Sequence, residues 1–350
     1  MEIVINPTAV KVWRNANTLQ IGLAEKHVVL ENLQARHEKF ISALYSGLTP
    51  SQVKSYARHL GLRIAETQTL ITALEPVLLR QTQRTRLTRA DGHTHESEIK
   101  PREIGEVASL PEESPSYQNA LGEMNQASFK LSARGESVWS LRQDRAVFVG
   151  ALDKTGQFIA HGLAEAGIGA VVSGDLTQSR LEQLRTSLAC LPAAPQLVTL
   201  NQLSAKQIAR IDVAILMGQQ LIESQKFAAW MNRSTPTIAA VQASAAEALQ
   251  AQVSHVIVAG QTPCWVCLEF SRRKANPAWP DMASQIVGRE QRFDSASAAL
   301  SLAGQVVEKT LNQIDRANGF KVRADEPKWS FSDECGCRLA TNLSPATRVD

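Results

Sequence analysis

The sequence predicts an α/β protein of two domains, in which a small α+β domain precedes a domain built on a parallel sheet. A chain of 350 residues is longer than one ordinary hydrophobic core requires, and its 44% hydrophobic content is that of a folded protein. From residue 145 onward, apolar strands alternate with helical segments, which is the pattern of a parallel α/β sheet. The first 80 residues instead show short alternating strands followed by helices.

The first domain, predicted over residues 1–80, begins with a small antiparallel sheet. Apolar residues alternate with polar ones between Val10 and Leu30, and Asn15–Asn17 forms a turn. The apolar spacing then changes to the helical period and predicts three helices between Leu33 and Leu74. A three-stranded sheet with three helices is a winged-helix arrangement.

A winged helix can bind either a peptide or DNA. An extended peptide can add a strand to the sheet edge, whereas DNA is read by a helix in the major groove. The second predicted helix carries Lys54, Arg58 and His59, which form a weak basic face. With 37 basic and 34 acidic residues, the net charge of +3 gives no independent support for nucleic acid, so a solvated helix surface is favoured over a DNA contact.

Residues 81–142 predict a partly flexible linker, because the apolar periodicity ends and prolines occur among charged residues. His93 and His95 lie in this stretch. Without a nearby third ligand, we interpret them as part of a solvated loop rather than as a metal site.

The second domain, predicted over residues 143–317, opens with a βαβ unit of the nucleotide-binding type. A strand ends at Gly150, a helix follows from Gly156, and a second strand leads to Asp175. These three residues are the candidate nucleotide contacts. Asp175 occupies the position of a ribose-binding acid, but a turn aspartate at the end of a strand explains it equally well.

Four of the five cysteines form two close pairs, Cys264 with Cys267 and Cys335 with Cys337. Two such thiolate pairs can complete the tetrahedral four-sulfur shell of a structural zinc ion, which leaves no open position for catalysis. The tail, residues 318–350, would then complete the site. There are two alternatives to a zinc site. The cysteines could be small buried core residues, or they could form disulfides. Disulfides require an oxidising compartment, which no feature of the sequence indicates.

Five short motifs lie in or near the cysteine pairs: Gly260-Gln-Thr-Pro-Cys264-Trp-Val-Cys267-Leu, Asn276-Pro-Ala-Trp279-Pro280, Gln285-Ile286, Lys328-Trp329 and Cys335-Gly-Cys337. From roughly Arg145 to Cys337 the chain resembles the ThiF-type adenylyltransferases, whose fold ubiquitin-activating enzymes share. The segments are similar to those of the ThiF-like partner proteins of thiazole/oxazole-modified peptide biosynthesis. The resemblance implies that the N-terminal domain binds the leader of a ribosomal precursor peptide and presents it to a YcaO-type cyclodehydratase.

The chain departs from the active enzymes at the positions that serve ATP. Leu152, Asp153 and Thr155 stand where small residues would let backbone amides approach phosphate, and Asp153 would place negative charge there. Met217 and its neighbours stand where the family carries a metal-binding aspartate. The sequence therefore favours a non-catalytic scaffold, with Zn2+ as its cofactor and without support for ATP and Mg2+.

Two other functions remain open: an ATP-dependent adenylyltransferase that activates a peptide or sulfur-carrier carboxylate, and a winged-helix DNA-binding regulator. The helix predicted over residues 295–314 carries small and apolar residues suited to a homodimer contact. Without an apolar run of membrane-spanning length or a signal-like N-terminus, we expect a cytoplasmic protein.

Overall fold

The computed structural model of the protein describes residues 2–6, 9–22, 27–81, 122, 136–191, 193–219, 221–242, 252–287, 296–323 and 325–338. Most of the predicted linker, including His93 and His95, lies outside the described residues. The chain divides into two compact units. The N-terminal unit contains the described residues up to Gln81 together with Ala278–Val287, and the second unit contains the other described residues.

The N-terminal unit contains two small antiparallel sheets and four helices among its described residues. Its strands are β1 (Glu2–Ile5), β2 (Lys11–Asn15), β3 (Thr18–Ile21), β4 (Val28–Leu30) and β5 (Leu78–Gln81). Strands β2, β3 and β4 form one sheet in that order, and β1 pairs with β5. The helices are α1 (Ala35–Tyr45), α2 (Pro50–His59), α3 (Ile64–Leu74) and, from a distant part of the sequence, α10 (Trp279–Ile286).

The apolar alternation predicted for this region corresponds to a real core. Leu19 and Ile21 are fully buried in one cluster with Phe40 and Leu44 of α1. The predicted strands and helices between Val10 and Leu74 are present, whereas the β1–β5 pair was not predicted.

The second unit is organised around a six-stranded sheet. Its strands are β6 (Ala146–Val149), β7 (Ala170–Ser173), β8 (Gln196–Thr199), β9 (Val213–Gln219), β10 (Thr237–Gln242) and β11 (Gln252–Val253). The strand order is β11-β10-β9-β6-β7-β8, with all pairs parallel except β10–β11. The order reverses at β6, and in such sheets ligands bind at the carboxyl ends of the strands beside that reversal.

Helices cover both faces of this sheet, as a parallel sheet requires. They are α4 (Val138–Gln143), α5 (Lys154–Glu165), α6 (Gln178–Leu188), α7 (Ala205–Ile208), α8 (Ser224–Met231), α9 (Trp265–Ala275) and α11 (Ala296–Ala317). None of the described helices has the length and apolarity that a bilayer span requires.

Helix α11 packs along α5 in the core of its own unit. Leu302 and Val306 are buried there, and a side chain at Gly162 of α5 would come within 3.0 Å of Val307. The small and apolar residues that suggested a dimer contact are therefore used, at these positions, for packing within the chain.

A buried ion pair fixes the end of the same helix. Arg142 donates to both carboxylate oxygens of Asp315, at 3.0 and 2.7 Å, and to the carbonyl oxygen of Ala166 at 3.1 Å. Because both charges are buried and fully paired, the removal of either one would leave the other uncompensated.

Candidate metal centre and strand-end crevice

A tight turn places the first cysteine pair at the start of α9. Gly260 adopts a φ of 73°, and the Thr262 hydroxyl accepts from the Val258 amide at 2.8 Å. Cys264 is the N-cap of α9, and Cys267 lies one turn further on, with both side chains buried. The turn and the helix thus direct two sulfurs to one side of the chain.

The tail brings the second cysteine pair to the first. The Sγ atoms of Cys264 and Cys335 are 3.5 Å apart, those of Cys267 and Cys337 are 3.4 Å apart, and those of Cys264 and Cys267 are 3.9 Å apart. All four sulfurs lie within 4.8 Å of one another.

This arrangement fits a four-coordinate metal ion. A tetrahedron with metal–sulfur bonds of about 2.3 Å has sulfur–sulfur edges of about 3.8 Å, which is close to the observed separations. The cysteines are free thiols in this structure rather than disulfides. Four cysteines therefore lie close enough together to hold a metal ion, as the sequence predicted.

Burial and hydrogen bonds shift the pKa values of three of the four cysteines. Burial raises the pKa of the Cys264 thiol, and it raises the pKa of Cys337 to about 11. Burial opposes ionisation of Cys267 as well, but hydrogen bonds from the Ser332 amide and the Cys337 side chain lower its pKa overall. A coordinated metal ion would supply the positive charge that stabilises all four thiolates.

Two aromatic residues hold the tail beside the cysteines. The Trp329 indole donates to the carbonyl oxygen of Cys264 at 3.0 Å and meets the Trp265 ring edge-on, with centroids 6.0 Å apart. Nδ1 of the fully buried His255 accepts from the Lys328 amide at 3.2 Å, and its Nε2 lies 2.8 Å from the carbonyl oxygen of Pro263. These bonds require the neutral tautomer with the proton on Nε2. Sequence analysis missed His255, because a histidine beside a strand carries no signal of its partners.

At the carboxyl ends of the parallel strands, the backbone amides of Gly150 and Gly156 already have partners. The Gly156 amide donates to the Asp153 carboxylate at 2.9 Å, so Asp153 caps α5, and the Gly150 amide donates to Ile215 at 2.9 Å. A side chain at Gly156 would lie 1.9 Å from the carbonyl oxygen of Ala151. Close packing of the loop is thus sufficient to require glycine at this position.

Asp175 holds the same loop from the neighbouring strand. One carboxylate oxygen accepts from the Thr177 amide at 2.9 Å, and the other accepts from Arg180 at 2.8 Å and from the Leu152 amide at 3.4 Å. Burial tends to raise the pKa of this carboxyl, but the hydrogen bonds from Thr177, Arg180 and Leu152 outweigh it and lower the pKa to about 2. The structure brings Gly150, Gly156 and Asp175 to one strand-end region, where their polar groups bond to the chain itself.

The three-stranded sheet of the N-terminal unit has an unpaired edge at β4. The Gly22 amide donates to Val10, so alternate residues of β3 face β2 and the others face β4. By this alternation, the amide and carbonyl groups of Val29 point away from β3, and β4 has no other strand partner among the described residues. A groove of about 700 Å3 lies beyond the end of β4, lined by Trp13, Ala16, Asn17, Asn32, Leu33, Gln34, Ala35 and Glu38.

The fold and site together define an α/β protein with a parallel sheet of Rossmann-type strand order and a four-cysteine centre that could hold a metal. No protein-family model and no curated protein matches the chain.

Among solved structures, the chain is similar to MccB from E. coli with AMPCPP and MccA, at 12% identity and a TM-score of 0.42, covering 96% of this chain and 99% of that one. It is also similar to the microcin C7 biosynthetic enzyme MccB with N-formylated MccA, at 11% identity and a TM-score of 0.42 over 97% and 100% of the two chains. PaaA matches 59% of this chain and 76% of its own, at 15% identity and a TM-score of 0.41. All three likenesses are distant.

The buried His255 predicts a loss of stability in acid. Burial lowers its pKa, the hydrogen bond to Pro263 and the charge of Asp325 raise it, and Lys309 and Lys328 lower it, with a net lowering from the usual 6.5. The unfolded chain binds this proton below about pH 6.5 while the folded chain does not, so stability falls as the pH drops from about 6.5 toward the folded pKa, by up to about 1.4 kcal/mol per pH unit. Urea unfolding between pH 7.5 and 5 measures this slope.

In His255→Gln, which cannot titrate, the slope should decrease. His59→Gln, on the exposed side of α2, should keep the wild-type slope. Equal slopes for wild type and His255→Gln would contradict the prediction.

Proposed function

We propose that the protein is a non-catalytic scaffold. It binds an extended peptide on its N-terminal unit, and one structural zinc ion stabilises its second unit. The observation that carries the peptide-binding part is the unpaired edge of β4. An outward-facing amide and carbonyl, as at Val29, offer a peptide two backbone hydrogen bonds, and neighbouring pockets can select its side chains.

The position of α3 supports this edge as the binding surface. Helix α3 packs beside β4, and Ile64 at its first turn is 85% exposed, whereas Leu70 is buried in the core. A strand added to β4 would therefore lie along this helix. The winged-helix arrangement inferred from the sequence is part of the proposal, since it places one sheet edge next to one helix.

The partner that we propose is the leader of a ribosomal precursor peptide. This follows from the sequence resemblance, which also suggests a YcaO-type cyclodehydratase as the enzyme that receives the peptide, a homodimeric state and a cytoplasmic location. The cluster of free thiols suits a reducing compartment.

The crevice of the second unit supports the non-catalytic part of the proposal. Phosphate binding at a helix start uses free backbone amides, and a carboxylate beside them competes for these amides and repels the phosphate. Here Asp153 occupies the start of α5, and Asp175 bonds to Arg180 and Leu152. Gly150, Gly156 and Asp175 are therefore proposed as remnants of a nucleotide site rather than as a working one.

We expect no saturable binding of ATP with Mg2+ to the full chain, because the amide of Gly156 and the carboxylate of Asp175 are already paired. Isothermal titration, followed by a pyrophosphate-exchange assay with the peptide present, tests this. Exchange above background would show adenylation and would support the alternative, an adenylyltransferase.

Substitution of Val29 tests the proposed peptide site. In Val29→Pro the outward amide is lost, while the bonds between β3 and β4 are made by other residues. We expect at least a roughly tenfold weaker affinity, which is about 1.4 kcal/mol, for precursor leader peptides in fluorescence anisotropy.

Val29→Thr is the matched control, since it keeps the amide and the branched side chain, and it should bind like wild type. Equal affinity for wild type and Val29→Pro would place the peptide elsewhere. Steeply salt-dependent binding of duplex DNA in place of peptide would instead favour the DNA-binding regulator.

Zinc is the ion proposed for Cys264, Cys267, Cys335 and Cys337, because four thiolates in a tetrahedral shell suit it and close the site. Elemental analysis of purified protein should find about one zinc per chain. In Cys267→Ser the metal should be lost and the Tm should fall by on the order of 5 °C, since metal binding contributes to folding.

Cys190→Ser is the matched control, because Cys190 lies outside the cluster and its thiol donates to the carbonyl oxygen of Ser187. It should keep both the metal and the wild-type Tm. Protein that is purified without any metal and folds equally well would contradict the zinc proposal.

A further inference from the structure

At the second edge of the three-stranded sheet, β2, one side chain bonds to the outward-facing backbone groups of Trp13. The alternation set by the Gly22–Val10 bond turns the amide and carbonyl of Trp13 away from β3, as at Val29 on the opposite edge. The Trp13 amide donates to Oε1 of Gln285 at 2.9 Å, and Nε2 of Gln285 donates to the Trp13 carbonyl at 2.8 Å. The carboxamide of Gln285 thus makes the same pair of bonds that one residue of a neighbouring strand would make.

Gln285 is held in position by the helix that carries it. On α10, Met282 and Ile286 are each 1% exposed and anchor the helix. The Gln285 amide group also donates to the Asp281 carbonyl one turn earlier, at 2.9 Å. The Gln285 side chain is therefore already held in place, so its contact with β2 costs little conformational entropy.

We propose that Gln285 is an edge lock that prevents β2 from pairing with β2 of a second copy of this chain. An unpaired strand edge is a template for another strand, and proteins commonly block such edges. Two β2 edges can pair antiparallel about Trp13, which places Lys11 opposite Asn15 of the other copy and Trp13 opposite Trp13. No like charges face each other in this register, and an aromatic cross-strand pair is favourable.

This proposal does not depend on peptide binding. It concerns β2, whereas the proposed peptide site is at β4. The peptide could fail to bind while Gln285 still protects β2, and the two experiments report on different residues.

The test compares the full-length wild type with Gln285→Ala. In the variant we expect the Trp13 amide to exchange with solvent at least roughly tenfold faster, which corresponds to the loss of about 1.4 kcal/mol of hydrogen bonding. We also expect sedimentation velocity to show concentration-dependent association beyond the wild-type oligomeric state.

Two further variants separate an opened edge from general damage. Ser284→Ala removes a hydrogen bond within α10 that does not involve β2, and it should behave like wild type. Gln285→Glu keeps an acceptor for the Trp13 amide and adds a charge that discourages strand pairing, so it should keep Trp13 protected and should not associate.

Association of Gln285→Glu to the same degree as Gln285→Ala would overturn the proposal, because both variants would then be acting through lost packing. Unchanged Trp13 exchange and unchanged association in Gln285→Ala would overturn it equally.

Discussion

The convergence of four cysteine sulfurs is the constraint on which the second unit depends. Cys264 and Cys267 come from the turn that opens α9, and Cys335 and Cys337 come from the tail after α11. Buried thiols this close must either remain protonated or share a cation, and a metal ion satisfies all four sulfurs at once. The sulfurs, Trp329, the His255–Lys328 bond and the contacts of Asp325 with Val256 and Lys309 together position residues 325–337 of the tail.

The same unit illustrates how the strand-end loops of a fold associated with nucleotide binding can bond to the chain itself. Strand order and strand-end loops are properties of backbone packing, and they persist whatever side chains follow β6. Here the loop is stabilised by its own carboxylates, with Asp153 capping α5 and Asp175 holding the Leu152 amide. Each of these bonds occupies a donor that a phosphate would need, so the stability of this loop and an affinity for phosphate oppose each other.

The sequence predicted the features that depend on local patterns. The strands between Val10 and Leu30, the strand before Gly150 and the cysteine pairs all have a period or a spacing that can be read directly, and the structure contains them. The pairing of β1 with β5 was not predictable, because it joins residues almost 80 positions apart with no turn between them. Strand β8 was also missed, since its first residue is exposed and only its last residue is buried.

Gln285 shows why site prediction from sequence is harder still. A glutamine on a short amphipathic helix has the pattern of an ordinary surface residue, and its partner Trp13 lies 272 positions away. One boundary between the two units lies between α9 and α10. Helix α9 carries Cys267 in the second unit, and α10 carries Gln285 in the N-terminal unit, with three residues between the two helices.

A single cut after β5 would therefore not isolate an intact N-terminal unit, because the removed segment contains Gln285 together with the buried Met282 and Ile286. The chain passes through the unit that contains the four-cysteine cluster before it returns to contact β2. The N-terminal unit needs α10, which follows the first cysteine pair in the chain, so this unit is discontinuous in sequence.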